Sequence, residues 1–74
     1  MMDTKTVTLT LVEDNGDLFI MTFGCISFCF PKTKFEQVGI TPRVGDHVTL
    51  IGKNVTIGGG EVKAIILGGI RLDR

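Results

Sequence analysis

The stretch Leu18-Phe19-Ile20-Met21-Thr22-Phe23-Gly24-Cys25-Ile26-Ser27-Phe28-Cys29-Phe30 decides how this chain is read. Phenylalanine and isoleucine favour the pleated backbone, so the segment reads as β structure. Taken as one long strand, its even positions are Leu18, Ile20, Thr22, Gly24, Ile26, Phe28 and Phe30. Its odd positions are Phe19, Met21, Phe23, Cys25, Ser27 and Cys29, so both faces are apolar. Gly24 predicts a bend or bulge where such a strand turns a barrel corner, and Pro31 closes it.

Working outward, Thr4 to Val12 alternates Val7, Leu9 and Leu11 with Thr6, Thr8 and Thr10. A period of two marks a half-buried strand. Glu13-Asp14-Asn15-Gly16-Asp17 follows, and Asn15-Gly16 predicts a tight hairpin into the apolar segment. Beyond Pro31, Thr33-Lys34-Phe35-Glu36 fits a capping box, with Gly39 placed to end a single helical turn. That turn is expected to carry Phe35 and Val38 inward. Val44-Gly45-Asp46 leads into a strand over His47 to Ile51, Gly52-Lys53-Asn54 turns, and Val55 to Ile57 pairs back. The triple glycine at 58–60 interrupts as an open bulge or flexible hairpin. Glu61 to Leu67 is a further strand, and Gly68-Gly69 signals a hairpin into Ile70 to Asp73.

These strands, one short helical turn and no repeat predict a single all-β domain over residues 1–74. The architecture expected is a five- to six-stranded small barrel, SH3-like, with an OB-like barrel as the alternative. At 74 residues the chain removes only about 60% of its unfolded surface from water, so a disulfide, metal or oligomer is the usual supplement.

A disulfide fails on geometry. Four strand residues separate the Cα atoms of Cys25 and Cys29 by about 13 Å, whereas a bridge needs less than about 7 Å. Two buried free thiols are expected, which suits a reducing, cytoplasmic location. The first five residues lack a signal-peptide core, and the apolar run falls short of the roughly twenty residues of a bilayer span.

Nothing assembles a catalytic or metal site. Cys25, Cys29 and His47 offer three zinc-ligand types, but strand spacing holds the thiols too far apart for one ion. His47 reads as a solvent-facing strand residue beside inward Val48 and Leu50. The triple glycine lacks the Lys-Ser/Thr that ends a phosphate-binding loop. Glu13, Asp14 and Asp17 surround a turn, where Asp serves local backbone bonding. No cofactor and no enzyme activity are expected.

Formal charge is zero, against a general nucleic-acid binder. Residues 1–30 hold one lysine against four carboxylates, and residues 31–74 hold seven cations against four. Two readings of function follow. In the first, Phe19, Met21, Phe23, Ile26, Phe28 and Phe30 form an apolar protein-interaction strand. One of its faces is left for a second copy, because a barrel has one interior. A charge on whichever of Phe19 and Phe28 points outward would then dissociate the oligomer. In the second, Lys32, Lys34, Lys53 and Arg71 surround exposed phenylalanines that stack single-stranded nucleic-acid bases.

From residue 44 the text reads Val44-Gly45-Asp46-His47-Val48-Thr49, then Gly52-Lys53, then a strand from Gly60 to the Gly68-Gly69-Ile70-Arg71 hairpin. This part, under half of the chain, resembles very small phage and prophage accessory proteins. The resemblance implies a mobile-element origin and a host or phage protein as partner. It carries over no catalytic residue.

Overall fold

Threonine alternating with apolar residues builds the first edge strand, β1 (Asp3–Thr8), which buries Val7 and leaves Thr4, Thr6 and Thr8 exposed. The structure, a computed structural model, describes residues 2–57 and 60–74. Its further elements are β2 (Leu11–Asn15), β3 (Leu18–Phe23), β4 (Ile26–Pro31), α1 (Lys32–Val38), β5 (His47–Lys53), a 3-10 turn (Val55–Ile57), β6 (Glu61–Leu67) and β7 (Ile70–Asp73).

All-β character with one short helix is present, but the barrel expectation needs correction. The described residues form two antiparallel sheets, β1-β5-β6-β7 and β2-β3-β4, with seven strands and no closed barrel. Two stretches read as single strands are each divided. The first, Thr4 to Val12, breaks after Thr8, where the Leu9 N–H donates to the Asp46 carbonyl and the Leu9 carbonyl accepts from Gly45. Leu9 is almost wholly buried at this bend, and the chain passes from one sheet to the other.

The second division is at Gly24. Phe23 faces Ile26 across a two-residue loop, Gly24-Cys25, and Gly24 adopts φ 61°. A glycine in the left-handed region at the first loop position is the signature of a II′ hairpin. The apolar segment is therefore a hairpin, not one bent strand. Its register pairs Phe19 with Phe30, Met21 with Phe28 and Phe23 with Ile26. Directly opposed residues share a face, so all six lie on the same side of the sheet. Leu18, Ile20, Thr22, Ser27 and Cys29 lie on the other. The two-faced apolar strand was a consequence of counting through the turn.

Smaller expectations divide in the same way. The first hairpin forms, but its loop is Gly16-Asp17, because Asn15 still pairs with Leu18. Helix α1 starts one residue before Thr33, with Pro31 at the N-cap and no capping side chain among the described residues, so the capping box is not used. Gly39 does end it, with φ 71° and its N–H donating to the Glu36 carbonyl. Phe35 is buried, whereas Val38 is exposed. Gly52 and Lys53 belong to β5, and the turn falls on Asn54 at φ 58°. Val55–Ile57 is a 3-10 turn and not a pairing strand. Of the triple glycine, Gly58 and Gly59 lie outside the described residues. Strand β6 and the Gly68-Gly69 hairpin into β7 form as expected.

The core lies between the sheets. Val7, Val48, Leu50, Ile65, Leu67 and Leu72 come from the four-stranded sheet, and Met21 and Phe30 from the three-stranded one. Phe35 of α1 joins them edge-on, its ring 5.4 Å from Phe19 and 5.8 Å from Phe30. Each such aromatic or aliphatic burial contributes about 1.5–3 kcal/mol.

At the start of β6 the exposed Glu61 carboxylate accepts a 2.7 Å hydrogen bond from the Lys63 ammonium. That bond first, and the lysine charge second, hold its pKa below the ordinary carboxylate value. A depressed folded pKa adds stability above the unfolded pKa, and that stability is lost as pH falls through the folded value. Lys63→Ala is expected to move the Glu61 pKa upward, read by NMR titration of its side-chain carboxyl. An unchanged midpoint would show that the ion pair does not form in solution.

Candidate functional site

The hairpin register decides which side chains are available. Met21 and Phe30 have no exposed surface, and Phe19, Phe23 and Phe28 are half-buried against the core. Ile26 is half-buried beside them, in the wall of a small cavity. The six apolar residues are thus brought together, on the inward face. A charge at Phe19 or Phe28 therefore falls against the core, where it threatens the fold before any interface.

Three of the phenylalanine rings already meet a cation of this chain. The Lys32 ammonium lies 5.3 Å from the Phe19 centroid, the Arg74 guanidinium 5.3 Å from Phe30, and Lys5 6.0 Å from Phe23. Such contacts occupy ring faces that a stacked base would need. The basic residues of the second reading are also placed beside carboxylates. Lys32 is paired with Asp14, and Arg71 donates to Asp73 at 3.0 Å. Lys53 is the register partner of Glu61. Lys34 sits on α1.

The outward face of the three-stranded sheet is neutral near its free edge. Leu11 and Leu18 are exposed and Ile20 is half-buried, with Thr22, Ser27 and Cys29 beyond them. The Thr22 and Ser27 hydroxyls share a hydrogen bond of 2.8 Å. Both cysteines are free and exposed, correcting the expectation of buried thiols. Cys25 sits in the hairpin loop, and the register puts Cys29 outward opposite Ile20.

Backbone direction along β4 follows from one bond. The Thr22 carbonyl accepts from the Thr10 N–H, so Thr22 turns its peptide groups toward the β2 side. In an antiparallel ladder the Thr22–Ser27 pair is then the non-hydrogen-bonded kind, and alternation makes Ile20–Cys29 the same. The N–H and C=O groups of Ser27 and Cys29 consequently point away from β3. The Arg74 guanidinium donates to the Cys29 carbonyl, in keeping with that direction.

Among the described residues no strand pairs with this second side of β4. A cavity of about 40 Å³ lies along it, walled by Phe23, Ile26, Phe28, Leu50, Val55 and Val62. Among the described residues the seam is walled mainly by apolar side chains, with Ser27 and Gly60 among them and Arg74 at the Cys29 carbonyl. The other three sheet edges carry charge: Asp3 and Lys5 on β1, Glu13 and Asp14 on β2, Arg71 and Asp73 on β7. Ile26–Pro31 carries none. Charged residues are the usual protection of an exposed edge; β4 carries none of its own, and the Arg74 guanidinium meets it at the Cys29 carbonyl.

Between the connection from α1 to β5 and the β6-β7 hairpin, an open groove is bounded by Gly39, Ile40, Arg43, Asp46, His47 and Gly68. The Asp46 carboxylate accepts from the Arg43 backbone N–H at 2.9 Å, which fixes the turn before β5. His47 is exposed, its Nδ1 3.0 Å from the Thr8 hydroxyl. It sits on the four-stranded sheet, away from both thiols, which belong to the β3-β4 hairpin. No group of three His, Cys, Asp or Glu side chains suited to a metal is found among the described residues. Among them no helix is long and apolar enough to cross a membrane. No protein-family model, curated protein or solved structure matches the chain.

Proposed function

We propose that this chain is a non-enzymatic protein-interaction module that self-associates through its three-stranded sheet. The observation that carries the reading is the β4 edge. It combines outward-facing Ser27 and Cys29 peptide groups, a strand without charges of its own and a mainly apolar seam beside it. Strand addition is the recognition mode such an edge serves: backbone hydrogen bonds supply affinity, and alternate side chains supply selectivity. The open seam favours the OB-like alternative, a partly open barrel, over a closed SH3-like one. The resemblance of residues 44–71 to phage and prophage accessory proteins points to a host or phage protein as a further partner, met in the cytoplasm.

Placing a lysine on the edge tests this reading. Cys29 is exposed and its side chain lies on the outward face, so Cys29→Lys leaves the core untouched. The variant is expected to keep the native circular-dichroism spectrum and to sediment as a monomer at concentrations where the native chain associates. Unaltered association would contradict the edge as the interacting element. The competing reading, single-stranded nucleic-acid binding, predicts tight binding of a labelled oligothymidylate with a steep salt dependence. Ring faces covered by Lys32, Arg74 and Lys5, and cations paired with carboxylates, support the protein reading instead.

A further inference from the structure

Resting on the self-association reading, we infer that Arg74 is an autoinhibitory latch on the β4 edge, which must swing away before a second copy can pair there. Its placement is built from the backbone. Ala64 pairs with Asp73, and the Arg74 N–H donates to the Lys63 carbonyl at 3.0 Å, so the β6-β7 ladder extends to Arg74 and fixes where its side chain starts. The neighbouring Asp73 carboxylate is engaged by Arg71 at 3.0 Å, which leaves the Arg74 guanidinium for β4. That guanidinium crosses from one sheet to the other and donates to the Cys29 carbonyl. It also lies 5.3 Å from the ring centroid of Phe30, the next residue of β4. Phe30 is fully buried, so the cation rests on a ring that the core holds in place.

Geometry and charge make this contact a block. The Cys29 carbonyl points away from β3, and a donor lies near the lone-pair directions of the oxygen it serves. The guanidinium therefore occupies space beside β4 where another backbone would run, about 4.8 Å away. A strand pairing with Ser27 and Cys29 must push it aside or enclose its charge, and enclosing a charge without a counter-ion is the costlier course. Natural edges are protected by charged residues, and β4 has none of its own. The protection is lent by one side chain of the other sheet. Releasing it sacrifices a bond from a charged donor and a ring contact, together enough to weaken pairing at least about tenfold.

Sedimentation equilibrium of the native chain beside Arg74→Ala tests the latch. Arg74 is exposed, so the variant is expected to keep the native circular-dichroism spectrum. Its dissociation constant for the dimer should be at least about tenfold lower than the native one. Equal constants would overturn the latch while leaving self-association standing. A higher constant would do the same, by making Arg74 part of the interface. Association of neither chain at any concentration would overturn both. Should the variant misfold, NMR of the native chain decides. A nuclear Overhauser contact between the Arg74 side chain and the Phe30 ring is expected in dilute solution and should vanish on association; its persistence in the dimer would overturn the latch.

Discussion

Replacing Phe30 with alanine is expected to lower the unfolding free energy by about 3–5 kcal/mol, the usual range for an aromatic lost from a packed core. Phe30 has no exposed surface, stacks edge-on against Phe35, and pairs across the hairpin with Phe19. Its removal strips a partner from both rings at once. A domain of this length has a total stability of about 4–11 kcal/mol at ordinary per-residue values. The variant should thus lose a large share of that stability, as a lowered urea midpoint would show. The same change at an interface residue would weaken association and leave the urea midpoint in place. That pattern would contradict the inward placement of Phe30.

The second large effect is expected at Gly52. A Cβ there would lie 1.9 Å from the Glu61 carbonyl oxygen and 2.9 Å from its carbon, both backbone atoms of the facing strand. Side chains rotate away from a clash, but a strand backbone does so only by giving up its ladder. The position coincides with the register shift between Ile51 and Gly52, where β6 gains a residue over β5. Gly52→Ala should therefore cost about 3 kcal/mol, the upper end of overpacking penalties, by forcing β5 and β6 apart. A urea midpoint within about 0.5 kcal/mol of the native value, the range of neutral surface changes, would contradict the close approach.

How much of this was legible in the sequence depends on what each residue signals alone. The threonine alternation of β1 as far as Thr8, the Gly68-Gly69 hairpin and the Gly39 helix stop depend on local backbone chemistry, and these are where they were expected. The Gly24-Cys25 turn was not read, because cysteine is an unusual second loop residue and the apolar run hides the break. A signal was nonetheless present. The phenylalanines of the segment run 19 and 23, then 28 and 30, so their parity switches across Gly24. A two-residue hairpin loop produces that switch by returning the second strand to the same face.

The same turn places the cysteines. Counted along one strand, Cys25 and Cys29 fall among core residues; counted through a turn, one is in the loop and the other opposite Ile20 on the outward face. Other features were beyond local reading. The division of the first strand at Leu9 depends on partners near Asp46, far along the chain. That β4 has no second strand partner among the described residues follows from strand order, which alternation does not reveal. The lack of charge in β4 was visible, but its meaning depends on the charges of β1, β2 and β7.

The surface proposed for self-association is thus the three-stranded sheet at β4, and not a second apolar strand face. Sedimentation equilibrium of the native chain from micromolar to millimolar concentration tests it most directly. The account predicts a mass that rises with concentration from one chain toward two. A mass of one chain across the whole range would contradict it.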